Sequence, residues 1–323
     1  MSQKTYRDAI REALREEMLR DERVLIMGEE VGVWGGTYAV TRGFYSEFGD
    51  KRILDTPIAE EAIVGTAVGA AMGGLRPVAE LMTINFALVA MDQIVNNAAK
   101  IHYMFGSQVR VPLVIRAPAG WGQLAATHSQ SFEAWFAHLP GLIVVMPGTP
   151  YDAKGLLKTA IRSDNPVMFI EHARLYGVKG EVPDEEYTLP IGVSDVKRPG
   201  RDVTIVSYSR MLHVALGAAE ELATAGIECE VIDLRTLRPL DMAPVYASVE
   251  KTHRAVIVEE DWTTCGMGAE IAARIGRDRF ESLDAPVERM GQVDVPMPYA
   301  KNLEELMFPD EKSVAEKVRD MVA

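Results

Sequence analysis

The chain has 323 residues, 48% hydrophobic and 25% charged, with a formal net charge of −13 at pH 7. That length allows two domains, because single cores stop growing near ~250–300 residues, and the composition is that of an ordinary globular protein. The acidic balance excludes nucleic acid or an anionic membrane as the main partner, since both demand a basic footprint, and it favours a basic protein partner instead. Cys229 and Cys265 offer neither metal spacing nor a disulfide framework.

In chain order, Ile10, Leu14, Met18 and Leu19 among Arg7, Arg11, Glu12, Arg15 and Glu16 predict an amphipathic N-terminal helix. No signal or transit peptide is read there, so bacterial cytoplasm or an organelle matrix is the expected location. A β-branched run at 23–27 predicts a strand. Asp55-Thr56-Pro57 reads as a helix start, with Glu60 in its first turn. Gly65, Gly69 and Gly73 then leave one helical face bare, predicting close contact with a neighbouring subunit. The apolar run 62–75 is too short for a bilayer span of ~20 residues. Strands are expected at 78–81, 111–115 and 143–146, with a helix over 91–104. This alternation predicts a parallel sheet covered by helices. Prolines and charges over 180–200 suggest a linker, giving a first domain at 1–185, a linker at 186–200 and a smaller α/β domain at 201–323. Gly266-Met267-Gly268 lacks the third glycine of a phosphate-binding turn and reads as strand-to-helix packing.

Several motifs occur in a fixed order: Asp55-Thr56-Pro57-Ile58-Ala59-Glu60, Gly74-Leu75-Arg76-Pro77, Glu80-Leu81-Met82-Thr83, Asn85-Phe86 and Ala90-Met91-Asp92-Gln93. Thr127-His128-Ser129-Gln130, His138-Leu139-Pro140-Gly141 and Asp294-Val295-Pro296-Met297-Pro298-Tyr299 follow. Together they resemble the beta subunits of the thiamine-diphosphate-dependent 2-oxo acid dehydrogenases, most of all the pyruvate dehydrogenase branch, over nearly the whole chain.

The resemblance implies an α/β fold with an N-terminal, transketolase-like pyrimidine-binding domain on a parallel sheet and a smaller transketolase C-terminal-like domain. It implies that Glu60 is the carboxylate that shifts the aminopyrimidine tautomer of thiamine diphosphate, against the bland reading of a first-turn glutamate complementing the helix dipole. Phe86 matches the residue that stacks on that ring. Met82, Ile58, Ala59 and Glu29 match positions lining it, although any of these could be core and Glu30 could serve in place of Glu29. His128, on a polar segment between hydrophobic ones, matches a histidine that exchanges protons near the substrate. His102, His138, His172, His213 and His253 read as structural.

Thiamine enzymes hold the diphosphate through magnesium, with a Gly-Asp-Gly motif followed by Asn-Asn. No Gly-Asp-Gly occurs here and Asn96-Asn97 has none upstream, so the magnesium ligands are expected from an alpha subunit in a two-alpha, two-beta assembly. Ala160, Ile161, Asp164 and Asn165 resemble a potassium loop of some relatives. Ser163 stands where those relatives have aspartate, which leaves a plain turn as the other reading. Asp284 matches a contact to the subunit-binding domain of the dihydrolipoyl acyltransferase, whose lipoyl domain would receive the acyl group made from pyruvate. A branched-chain 2-oxo acid dehydrogenase beta subunit, a non-catalytic scaffold of the same fold and a self-sufficient transketolase-like enzyme are the alternatives.

Overall fold

The computed structural model describes residues 1–323 as two compact units, Met1–Gly120 with Trp135–Ile191, and Trp121–Ala134 with Gly192–Ala323. In the first unit the strands are β1 (Ser2–Thr5), β2 (Val24–Gly28), β3 (Ile53–Asp55), β4 (Arg76–Glu80), β5 (Val114–Ala119), β6 (Ile143–Val145), β7 (Val167–His172) and β8 (Lys179–Val182). Six of them form a parallel sheet in the order β6-β7-β5-β4-β2-β3. β2, β5 and β7 are buried along their whole length, as a parallel sheet covered on both faces requires. β1 and β8 make a separate antiparallel pair.

Three long helices flank this sheet: α1 (Tyr6–Arg20), α2 (Glu60–Met72) and α3 (Pro150–Arg162). Thr5 and Thr149 cap α1 and α3 through their hydroxyls, and Pro150 occupies the first turn of α3, where its missing N–H is no loss. α1 packs on α3. Lys154 and Lys158 of α3, almost fully buried, donate to Glu12 and Glu16 of α1, and Arg162 donates to Glu17. Buried ammonium groups persist only when paired in this way. Inside the sheet the Arg116 guanidinium of β5 lies between Glu80 of β4 and Glu171 of β7, and Tyr176 donates its hydroxyl to Glu171 at 2.5 Å.

The second unit has strands β9 (Asp195–Arg198), β10 (Val203–Ser207), β11 (Cys229–Asp233), β12 (Ala255–Trp262) and β13 (Glu288–Gln292), in the sheet order β13-β12-β10-β11-β9. All pairs are parallel except β9 with β11. Its main helices are α4 (Met211–Ala223), α5 (Ala243–Thr252), α6 (Met267–Asp278) and α7 (Glu311–Val322). Val203, Ile205, Leu212, Ala215, Val231, Val256, Val258, Val314 and Val318 form its core.

Three expectations are corrected. Residues 195–198, read as linker, form β9, because the open edge of β11 needs a ladder partner. The single helix over 91–104 is instead a π turn, Gln93–Ala98, followed by a short helix, Ile101–Met104. There Asn96 donates to Asp92 at 2.7 Å and Asn97 to Gln93 at 2.9 Å; π turns of this kind recur at functional positions. Finally, Trp121–Ala134 packs with the second unit rather than the first.

Candidate active site

The chain leaves β2 at Gly28, where a side chain is impossible: a Cβ would lie 2.5 Å from the Glu80 carbonyl oxygen of the adjacent strand. Glu29 follows at once. Glu30 adopts a left-handed φ of 53°, which turns the backbone and leaves Glu30 exposed while Glu29 stays buried. This separates the two neighbouring glutamates that the sequence left open. α2 begins at Glu60 itself rather than at Thr56, and its N-cap Ala59 contributes no side-chain bond. Asp55, read as a cap, instead accepts the Gly32 N–H at 2.6 Å. Glu60 and Glu61 therefore face the uncapped first-turn amides alone, where negative charge is favoured.

Glu29 and Glu60 are each 6% exposed and bonded carboxyl to carboxyl. Burial raises the Glu29 pKa, and the charge of Glu60 and the bond to it raise it further. Glu29 therefore keeps its proton to higher pH than a free glutamate does. The other Glu29 oxygen, Oε1, is buried with no hydrogen-bond partner, and such an atom calls for an explanation.

β4 is paired with β2, Glu80 opposite Gly28, so Met82 leaves the sheet at the same carboxyl end as Glu29. Phe86 sits on the 3-10 turn Ile84–Leu88; both side chains are half-buried. Ala59 is half-buried and Ile58 is 79% exposed. The end of an open parallel sheet beyond its carboxyl termini is where α/β folds bind ligands. The orphan oxygen of Glu29 and the carboxyl of Glu60, at the sheet end from which apolar Met82 and aromatic Phe86 follow, fit a flat, nitrogen-bearing ring.

His128 belongs to the other compact unit, on Trp121–Ala134. It is half-buried, and its Nδ1 lies 2.9 Å from the Thr127 hydroxyl. Other histidines bond backbone: His102 Nδ1 contacts the Val109 carbonyl at 2.7 Å, His253 Nδ1 contacts Ser282 at 2.8 Å, and His172 accepts from Arg174 N–H at 3.1 Å.

The potassium reading does not fit. The Arg76 guanidinium donates to the carbonyls of Ile161 and Ser163, at 3.0 and 2.9 Å, and to Asp164 at 2.6 Å, while Arg110 bonds the second Asp164 oxygen. These guanidinium groups hold the Asp164 carboxyl below its usual range. Ala160 lies inside α3, and the Asn165 N–H turns back to the Ser163 hydroxyl. Two organic cations occupy the oxygens a metal would need. Asp284 is exposed and 3.6 Å from Arg254.

The second unit contains a site the sequence reading missed. Tyr208 donates to Glu133 at 3.0 Å and contacts Glu259 at 3.2 Å, and the Gly268 N–H donates to Glu259 at 2.8 Å. Burial pushes the pKa of Glu133 well up and those of Glu259 and Asp261 up to about 7. Its signal was visible as Glu259-Glu260-Asp261, an acidic run continuing a β-branched strand.

A family model described as "Transketolase, pyrimidine binding domain" matches residues 2–179, and one described as "Transketolase, C-terminal domain" matches 192–314. The chain is 52% identical to the mitochondrial pyruvate dehydrogenase E1 component subunit beta of Drosophila melanogaster, covering 99% of this chain and 87% of that protein. It is 50% identical to the E1 subunit beta of Rickettsia felis over 98% of this chain and 97% of that one, and 50% identical to that of Rhizobium meliloti over 99% and 70%. A solved structure titled "Split gene transketolase, inactive beta4 tetramer" superposes with a TM-score of 0.81 at 25% identity, covering 98% of this chain and 97% of that one. With a transketolase-type fold in both units and about half of all positions shared over nearly its whole length, the chain belongs to the pyruvate dehydrogenase E1 component beta-subunit family.

Proposed function

We propose that this chain acts as the beta subunit of a pyruvate dehydrogenase, joining an alpha subunit in a two-alpha, two-beta enzyme that decarboxylates pyruvate and passes the acetyl group to a lipoyl arm of the dihydrolipoyl acyltransferase. The observation that carries the reading is the buried Glu29–Glu60 pair with its orphan oxygen, at the sheet end where Met82 and Phe86 emerge.

Bound thiamine diphosphate would supply the nucleophilic thiazolium carbon that attacks the 2-oxo group. Glu60, with Glu29, would hold the ring nitrogen side of that cofactor; Phe86, Met82, Ile58 and Ala59 would supply its apolar walls, which favour neutral over charged forms. Glu29, whose pKa is raised by burial and by the charge of Glu60, would keep a proton available beside Glu60. His128, whose Nδ1 lies 2.9 Å from the Thr127 hydroxyl, would exchange a proton near the substrate. The magnesium ion that binds the diphosphate would take its ligands from the alpha subunit, and Asp284 would contact the acyltransferase. Bacterial cytoplasm or a mitochondrial matrix suits such an enzyme, and relatives of both kinds occur.

The test is Glu60→Gln in the assembled alpha-beta complex. Assembly and folding should be normal while turnover drops at least ~10²-fold, the lower end for a positioned proton-transfer group. Near-normal turnover of the assembled variant refutes the role. Comparing 2-oxo acids on the wild-type complex decides between pyruvate and branched-chain substrates.

A further inference from the structure

The segment Trp121–Ala134 is tied to the second unit at both ends. Trp121 is buried with Met297 and Met307 and stacks on Phe308, centroids 4.8 Å apart and planes at 21°. The Arg210 guanidinium lies 5.1 Å over the Trp121 ring. Glu304, 1% exposed, accepts the backbone N–H groups of both Gly122 and Gln123 with one carboxylate oxygen, at 3.1 and 2.8 Å. At the far end Glu133 accepts from Tyr208.

Between these ties the backbone is in uncommon conformations. Gln123 and Ala125, neither of them glycine, have left-handed φ values of 59° and 61°; such residues need local support to stay there. A carboxylate accepting two successive amides is a strong, charge-assisted anchor. Five residues beyond the second of these amides stands His128.

We infer that Glu304 is a positioning residue: by binding the Gly122 and Gln123 amides it fixes the segment that presents His128. The inference rests on the reading of His128 as a proton-exchanging group. Without the carboxylate the two amides lose their acceptor, the left-handed turn loses its support, and His128 is no longer held in one place. A displacement of about 1 Å is enough to cost about 10²-fold in rate.

The experiment uses the assembled alpha-beta enzyme with Glu304→Ala, Glu304→Gln, Glu304→Asp and His128→Ala. Hydrogen exchange at Gly122 and Gln123 should quicken at least ~10-fold in Glu304→Ala, with exchange in α4 unchanged, and kcat should fall ~10–100-fold with little change in KM. Glu304→Gln, whose amide oxygen can still accept both N–H groups, should recover most of the rate. On the His128→Ala background, Glu304→Ala should add no further loss. If Glu304→Ala does not fold, Glu304→Asp, which is too short to reach both amides, gives the same readings. Unchanged exchange at Gly122 and Gln123, or full multiplication of the two losses, overturns the inference. Normal turnover of His128→Ala overturns instead the reading on which it rests, and the exchange data separate the two failures.

Discussion

Glu29 and Glu60 come from a strand exit and a helix start more than thirty residues apart, yet their carboxyl groups meet as a buried pair. Burial first, and the charge of Glu60 second, raise the Glu29 pKa, so Glu29 keeps its proton to higher pH than a free glutamate does. Glu29→Gln places an amide N–H donor where the carboxylic O–H was and removes its titration. In the assembled enzyme kcat should stay within about tenfold of wild type, while the limb of the pH–rate profile due to loss of the Glu29 proton flattens. A profile superimposable on that of wild type contradicts a working-range titration of Glu29.

The buried acids of the second unit make stability depend on pH in a defined direction. Glu259 titrates at about 7 in the folded chain against 4.5 for the free group, so the native state binds the proton more tightly than the unfolded state. The stabilisation is fully present below about 4.5 and is lost as pH rises through about 7. The shift sets an upper bound of about 3 kcal/mol for this group, and Asp261 acts in the same direction. Denaturant melts between pH 5 and 8 should show stability falling with pH, with a shallower slope in Glu259→Gln. Equal slopes would mean that Glu259 does not titrate in this range.

Gly69 is exposed on α2, and a Cβ there meets nothing within 4 Å. Gly69→Leu should therefore leave the isolated chain within about 0.5 kcal/mol of wild type apart from a helix-propensity gain. The proposed use of this face is close packing against another subunit, and the same variant should then fail to assemble by light scattering. Gly65 differs, since a Cβ there would come within 3.3 Å of the Gln93 side chain. Normal assembly of Gly69→Leu would show that the bare face is not a contact.

The chain alone should bind thiamine diphosphate weakly, because it has no Gly-Asp-Gly motif to hold the magnesium ion that neutralises the diphosphate. Calorimetry on the purified chain, with and without magnesium, should give no binding tighter than micromolar. Submicromolar, magnesium-dependent binding in the absence of a partner would overturn the shared-site reading.

Much of this molecule was readable from sequence where one local rule dominates. The β-branched, fully buried strands at Val24–Gly28 and Val203–Ser207 announce parallel sheets, and Thr149-Pro150 marks a helix start that the structure uses. Asp55-Thr56-Pro57 carries a similar signature but misleads, because Asp55 is drawn to the Gly32 N–H 23 residues away. Asn96 and Asn97 break the helical pattern by side-chain bonds that periodicity cannot register. The residues of the candidate site were named through family resemblance, whereas the raised pKa of Glu29 follows from burial and from the proximity of Glu60, which only the fold brings about. Glu304 and Glu133 had no local signal at all: each acts on residues about 75 to 180 positions away.

Gly266 and Gly268 leave room at the start of α6 for the Glu259 carboxylate, whose Oε2 accepts the Gly268 N–H. That helix end is plugged from within: its Gly268 N–H already has an acceptor, supplied by the neighbouring strand. A nucleotide phosphate, the usual occupant of such a turn in α/β proteins, would find the socket filled. The strand-to-helix turn of the second unit is thus filled by its own glutamate.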